Sequence, residues 1–144
     1  MGHWEVPQDA DTARTYFVHG WHDEVEGDPD APYRWSNGTL ARLLLPNADG
    51  DRLELTIDCI PYLRPPELQR QDVWVFASGI QCGFERLENS RTFHMRIPDA
   101  ARTGSTLGIT FVIPNAARPS QFDGSADERQ LGLALRSIAL DWDR

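Results

Sequence analysis

Gly20-Trp21-His22-Asp23-Glu24 is followed, across an acidic and proline-containing stretch, by Arg34-Trp35-Ser36-Asn37-Gly38. These residue types suit one chemistry. An indole presents a π-face on which the C–H groups of a pyranose can pack, and carboxylate, amide and guanidinium groups can bond its hydroxyls. On that reading Trp21 and Trp35 stack, while Glu24, Arg34, Asn37 and Arg129 hydrogen-bond. Arg129 sits in Asp127-Glu128-Arg129-Gln130-Leu131-Gly132, where a long loop enters the last strand-like run. Its planar fork can clamp a carboxylate of an acidic sugar, or pair with the acidic stretch 23–30. The same residues equally suit the corner of a β-sandwich, each indole burying roughly 200 Å².

Other chemistries find less support. His19 and His22 point to opposite faces if they share a strand, so no zinc site is expected. Asn47, Asp49 and Asp51 match the first three ligand positions of an EF-hand loop, with Asp58 at its twelfth. Arg52 stands where that loop needs glycine, and no helices flank it, so a polar turn is expected. The carboxylates of the run from Asp23 to Asp30 could hold calcium or simply be solvated. No Gly-x-Ser-x-Gly, phosphate loop or dinucleotide fingerprint occurs. Most carboxylates lie in turns, where aspartate has a local hydrogen-bonding role. Cys59 and Cys82 read as free thiols in strand-like runs. No catalytic residue, metal or cofactor is therefore expected.

The elements that must position these residues are strands. The chain has 144 residues, 40% of them hydrophobic, which suits one domain with its own core. Its net charge of −8 argues against nucleic acid and anionic membrane as partners. All 14 basic residues are arginine. No apolar run approaches the roughly 20 residues that span a bilayer, so no membrane insertion is expected. Met1 to Glu5 lacks the character of a signal peptide, so the chain is expected to be cytoplasmic or a domain of a longer protein.

Short alternating runs separated by turn residues predict an all-β, single-domain β-sandwich, jelly-roll-like, with eight or nine strands over 15–144. Residues 1–14 read as a polar leader. Leu53, Leu55, Ile57 and Cys59 face one way, as do Phe93, Met95 and Ile97, and Leu107, Ile109, Phe111 and Ile113. Val73 to Ala77 is apolar on both sides, predicting a central strand with Trp74 in the core. Ser78-Gly79 predicts a tight hairpin. Pro98 to Arg102 predicts one helical turn. The phase of the last run changes between Leu135 and Ile138, which predicts a bulge near Arg136-Ser137.

Several of these segments carry a resemblance. They are Gly20-Trp21 with Glu24, Arg34-Trp35-Ser36-Asn37-Gly38 with the run 40–45, and Val73-Trp74-Val75-Phe76-Ala77-Ser78-Gly79. Phe111, Pro114, Pro119 and Arg129-Gln130-Leu131-Gly132 complete the set. Over roughly 15–141 the chain resembles the small β-sandwich domains at the ends of bacterial glycosyltransferases and other surface-polysaccharide proteins. It departs from them at Ser78, where they tend to carry asparagine as a turn former. The resemblance implies a non-catalytic accessory role near glycans. The expectation is thus a carbohydrate-binding module tied to bacterial polysaccharide biosynthesis, with a glycan or a glycosyltransferase-type protein as partner. The alternative is a structural or protein-interaction sandwich without a small ligand.

Overall fold

The computed structural model describes residues 1–7 and 10–143. Residues 8 and 9 of the expected leader, and the final residue 144, lie outside the described residues. The described chain forms eleven strands: β1 (Gly2–Glu5), β2 (Phe17–His19), β3 (Glu26–Asp28), β4 (Ala31–Trp35), β5 (Leu40–Pro46), β6 (Asp51–Pro61), β7 (Gln71–Ala77), β8 (Ile80–Leu87), β9 (Arg91–Arg96), β10 (Thr106–Val112) and β11 (Leu133–Asp143). Two antiparallel sheets face each other. One has the order β3-β4-β11-β6-β9, with β1 also on β11; the other runs β2-β5-β10-β7-β8. The all-β sandwich expected from the alternation is the fold observed.

Nine of these strands fall where the alternation places them, and two arise elsewhere. Inside the polar leader, β1 pairs with β11 from Gly2 opposite Trp142 to Glu5 opposite Ala139. Trp4 anchors it, packing edge-on against Tyr16 at 5.2 Å. Inside the acidic stretch, β3 pairs with β4 across a turn at Pro29-Asp30. Neither segment alternates strongly, because each adds to an existing edge rather than building a core.

The core follows period 2. Leu53, Leu55, Ile57 and Cys59 on β6 are fully buried, as are Leu107, Ile109 and Phe111 on β10, with Ile113 just beyond it. Burial pushes the Cys59 thiol up to about 12 and the half-buried Cys82 thiol up to about 11. The expected bulge is present: register shifts between Leu135 and Ser137 where β11 pairs with β6. The extra residue returns Ile138 and Leu140 to the inner face. Ser78 (φ 48°) and Gly79 (φ 82°) form the two-residue turn joining β7 to β8. A single 3-10 turn occupies Asp99–Ala101. The Asn47–Asp51 turn is closed by Arg102, which donates to the carbonyls of Ala48 and Gly50, both at 2.6 Å.

One assignment is corrected. Trp74 is not in the core. β7 alternates, with Val73, Val75 and Ala77 inward and fully buried and Trp74 and Phe76 outward. β7 lies between β10 and β8, next to the sheet edge rather than at its centre. Its two-sided apolar character therefore reflects an apolar outer surface, not burial on both sides.

Phe111 is fully buried on the central strand of its sheet, and the Trp21 ring packs edge-on to it at 6.1 Å. Phe111→Ala is expected to cost about 3–5 kcal/mol in urea unfolding at unchanged denaturant slope. A cost below about 1 kcal/mol would contradict this packing.

Candidate functional site

Three separated motifs converge at one end of the sandwich. Between β4 and β5 the chain passes from one sheet to the other, and its backbone groups need partners there. Gly20 has φ 79°, and a side chain on it would collide with the Leu40 carbonyl. It turns the chain so that Trp21 bridges Ser36. The Asn37 N–H donates to the Gly20 carbonyl at 2.7 Å, and the Gly38 N–H to that of Gln130 at 2.8 Å. The Ser36 N–H donates to the Leu133 carbonyl at 2.7 Å, and the Leu133 N–H returns a bond to Ser36 Oγ at 2.9 Å.

The sequence-derived candidates are built into this junction. The half-buried Trp21 donates its indole N–H to the Arg42 carbonyl at 2.8 Å and packs edge-on to Phe17 at 5.0 Å. Arg34 is only 4% exposed. Its Nη1 donates to the carbonyls of His22 and Asp23 at 2.7 and 2.8 Å, and its guanidinium lies 5.0 Å from the Phe17 ring centroid. Burial pulls its pKa down. Asn37 Oδ1 accepts the Gln130 N–H at 3.1 Å. Trp35 points the other way, outside the six-stranded sheet, between Tyr33 at 6.0 Å and Tyr62 at 6.1 Å. Trp21 and Trp35 therefore do not form one stacking face.

Arg129 forks onto Asp127, with Nε to Oδ1 at 2.9 Å and Nη2 to Oδ2 at 2.7 Å, and Nη1 reaches Glu26 at 3.3 Å. This hydrogen bonding holds the Asp127 carboxyl below its ordinary range. Arg129 lines a polar cleft with His22, Asp23, Glu24 and Glu26, in which Glu24 is exposed. Burial, then the charge of Arg129, lowers the pKa of His22. Trp21, Arg34, Asn37 and Arg129 all have partners within the chain, so a sugar here would share or displace those bonds. Among the described residues no group of three His, Cys, Asp or Glu side chains is set to hold a metal ion. No helix among them is long and apolar enough to cross a membrane.

A second surface escaped the sequence. On the outer face of the five-stranded sheet, Leu40 lies opposite Val112, Val112 opposite Trp74, and Trp74 opposite Phe84. Four strands thus present one apolar row about 14 Å long. The Trp74 and Phe84 rings are 4.6 Å apart, and Phe84 is 41% exposed. The neighbouring row runs Arg42, Thr110, Phe76, Gln81. The outer face of the other sheet is polar where β6 and β9 meet, with Glu54 opposite Arg96, Thr56 opposite His94 and Asp58 opposite Thr92. The available signal was the unbroken apolar run Val73–Ala77. The Trp74–Phe84 pairing itself needs the register shift between Val75 and Phe76.

No family model matches the chain, and no curated protein matches it in sequence. Solved structures share its fold. A family 35 carbohydrate-binding module from Clostridium thermocellum aligns with a TM-score of 0.56 at 10% identity, over 97% of this chain and 98% of that one. The CBM36-1 domain of a multidomain xylanase from the hindgut metagenome of Trinervitermes trinervoides aligns at 0.52 and 11%, over 99% of both. A family GH115 4-O-methyl-α-glucuronidase with specificity for decorated arabinogalactans aligns at 0.57 and 10%. That match covers 99% of this chain but 18% of the enzyme, so the chain spans under a fifth of its length. The shared feature is the β-sandwich.

The Arg129 pairing carries a pH signature. Because the folded Asp127 pKa lies below its unfolded value, the stabilisation is complete above the unfolded value and is lost as pH falls through the folded one. The groups are partly solvated, so Arg129→Ala is expected to cost about 1 kcal/mol at pH 7. The difference from wild type should narrow below about pH 4. Urea unfolding across pH 2–7 checks this, and a difference that grows on acidification would contradict it.

Proposed function

We propose that this chain is a non-catalytic carbohydrate-binding module, and that the outer face of the five-stranded sheet is its glycan platform. The observation that carries the reading is the row Leu40–Val112–Trp74–Phe84. Large aromatic rings left on a sheet surface are unfavourable in water unless something covers them. The C–H faces of sugar rings suit that role: they are apolar and carry partial positive charge toward the negative π-face. Flanking Arg42, Thr110 and Gln81 offer hydrogen bonds to hydroxyls. Two of the structurally similar proteins are themselves described as carbohydrate-binding modules or domains of that type, which supports the same reading. The resemblance to domains of polysaccharide proteins supports a partner of the glycosyltransferase type and a setting in bacterial polysaccharide biosynthesis.

In this proposal the sandwich-end residues Trp21, Arg34, Asn37 and Arg129 frame the fold. Glu24 and Trp35 offer a secondary polar and aromatic contact. A second reading, a structural or protein-interaction domain, is favoured by one observation: most of the polar candidates are bonded internally. That reading makes the apolar row a protein contact.

Trp74→Ala and Phe84→Ala are expected to weaken glycan binding at least about tenfold, since a lost stack of this kind is worth about 1.4 kcal/mol. Affinity electrophoresis against bacterial exopolysaccharides, with urea unfolding to verify folding, measures it. A folded Trp74→Ala variant with unchanged affinity would sink this site. Absence of binding across the panel would favour the protein-interaction reading.

A further inference from the structure

The glycan platform has an uneven charge that points to the class of sugar. Its outward positions on β5 are Leu40, Arg42 and Leu44; on β10, Thr106, Gly108, Thr110 and Val112; on β7, Asp72, Trp74 and Phe76. Asp72 is the one carboxylate among them, and it is already held by Arg86 at 3.0 Å and Arg70 at 3.8 Å. Arg42 differs. It is exposed, and its guanidinium has no carboxylate or carbonyl partner among the described residues. A protein with a net charge of −8 thus shows a surplus of positive charge on its most apolar face.

The arginine is also bedded. Its Nη2 lies 3.6 Å from where a Cβ on Gly108 would sit. The side chain therefore reaches across the strand boundary, over the gap left by a residue without a side chain. Gly108 is two residues from Thr110, which is opposite Phe76. Diagonal neighbours of this kind in a sheet are about 7–8 Å apart, so the guanidinium head lies nearest Phe76 among the outward rings. Trp74 is opposite Val112, four residues along β10 from Gly108, so the Trp74–Phe84 row lies roughly 13 Å further on, two to three sugars along a chain. Leu40 and Leu44 flank the arginine on its own strand and leave its guanidinium open to solvent. A planar fork matches a carboxylate through two parallel hydrogen bonds.

We propose that this face binds an acidic glycan, with one sugar stacked on Trp74 and Phe84 and the carboxylate of a uronic acid two or three sugars along the same chain clamped by Arg42. The inference rests on the carbohydrate reading above and narrows it from glycans in general to uronate-bearing chains. Recognition needs both parts. The stack supplies contact with any sugar of suitable shape, and Arg42 supplies the preference for charge.

The test is calorimetric titration of the full chain at low salt with tetrasaccharides in matched pairs differing only in oxidation at C6: cellotetraose and its glucuronate, the galactose and galacturonate chains, and the mannose and mannuronate chains. The acidic member of at least one pair is expected to bind about tenfold tighter, the worth of one charge-assisted clamp. Arg42→Ala should erase that preference. Arg42→Lys, which keeps the charge and loses the fork, should restore part of it. Gly108→Val keeps Arg42 but fills its bed, and should reduce the preference as well. Equal affinity within every pair would overturn the inference and leave the carbohydrate reading standing. Absence of binding to every member would overturn both. A preference that survives Arg42→Ala would remove Arg42 from the site, and tighter binding of a sulfated galactose chain than of galacturonate would overturn the carboxylate assignment. Sedimentation of the free protein completes the set: a dimer dissolved by Trp74→Ala would overturn the inference by giving the face to a second copy.

Discussion

The constraint on which this structure depends is the crossing of the chain from one sheet to the other between Trp35 and Leu40. A sandwich isolates its two sheets behind a dry core, and a backbone passing between them loses its ladder partners. Here the missing partners come from two remote segments. The Gly20 carbonyl receives Asn37, the Gln130 carbonyl receives Gly38, and Ser36 exchanges bonds with Leu133. Arg34 extends the same junction by holding the carbonyls of residues 22 and 23. A charge so deeply placed is stabilised by these two oxygens, both bonded to the one nitrogen Nη1, and by the face of Phe17.

With the junction in place, the rest of the molecule separates into surfaces of different character. The six-stranded sheet turns a polar face to water along β6 and β9, while its β4 end carries the aromatic set Tyr33, Trp35 and Tyr62. The five-stranded sheet turns out Leu40, Val112, Trp74, Phe76 and Phe84. Both sheets bury the same kind of inner face, so core formation does not require this asymmetry. The outer apolar residues of the six-stranded sheet around Trp35 pack with Tyr62 and Leu131, whereas the row Leu40–Val112–Trp74–Phe84 has no such cover among the described residues, and ligand contact supplies one.

Much of the fold was legible because period-2 alternation has one physical cause. Burial on one face selects apolar residues at every second position, and β6, β9 and β10 display that selection without interruption. The bulge in β11 was legible for the same reason: a phase change in an otherwise buried strand has to be absorbed by an extra residue. Strands β1 and β3 were not. They join edges already formed, so their residues need hydrogen bonds more than apolar side chains, and only Trp4 marks β1 as anchored.

The site divides along a similar line. Sequence alone determined the all-β class and the inward-facing sets, and it marked the aromatic, acidic and arginine residues of 21–37 and 129 as candidates. It left open whether those side chains meet a ligand or one another, because an Arg fork fits a sugar carboxylate and Asp127 equally well. Tertiary structure decided that Trp21 and Trp35 point to different places and that Arg129 is paired. It also decided the position of Trp74. An apolar run reads alike whether its second face meets a helix, a sheet or water. Moreover, a simple count back from the Ser78-Gly79 turn would put Gly83, not Phe84, opposite Trp74. The register shift between Val75 and Phe76 moves Phe84 by one place and brings its ring outside, beside the indole. A shift of one residue exchanges the faces of a strand, and only the three-dimensional pairing of β7 with β8 fixes where it occurs.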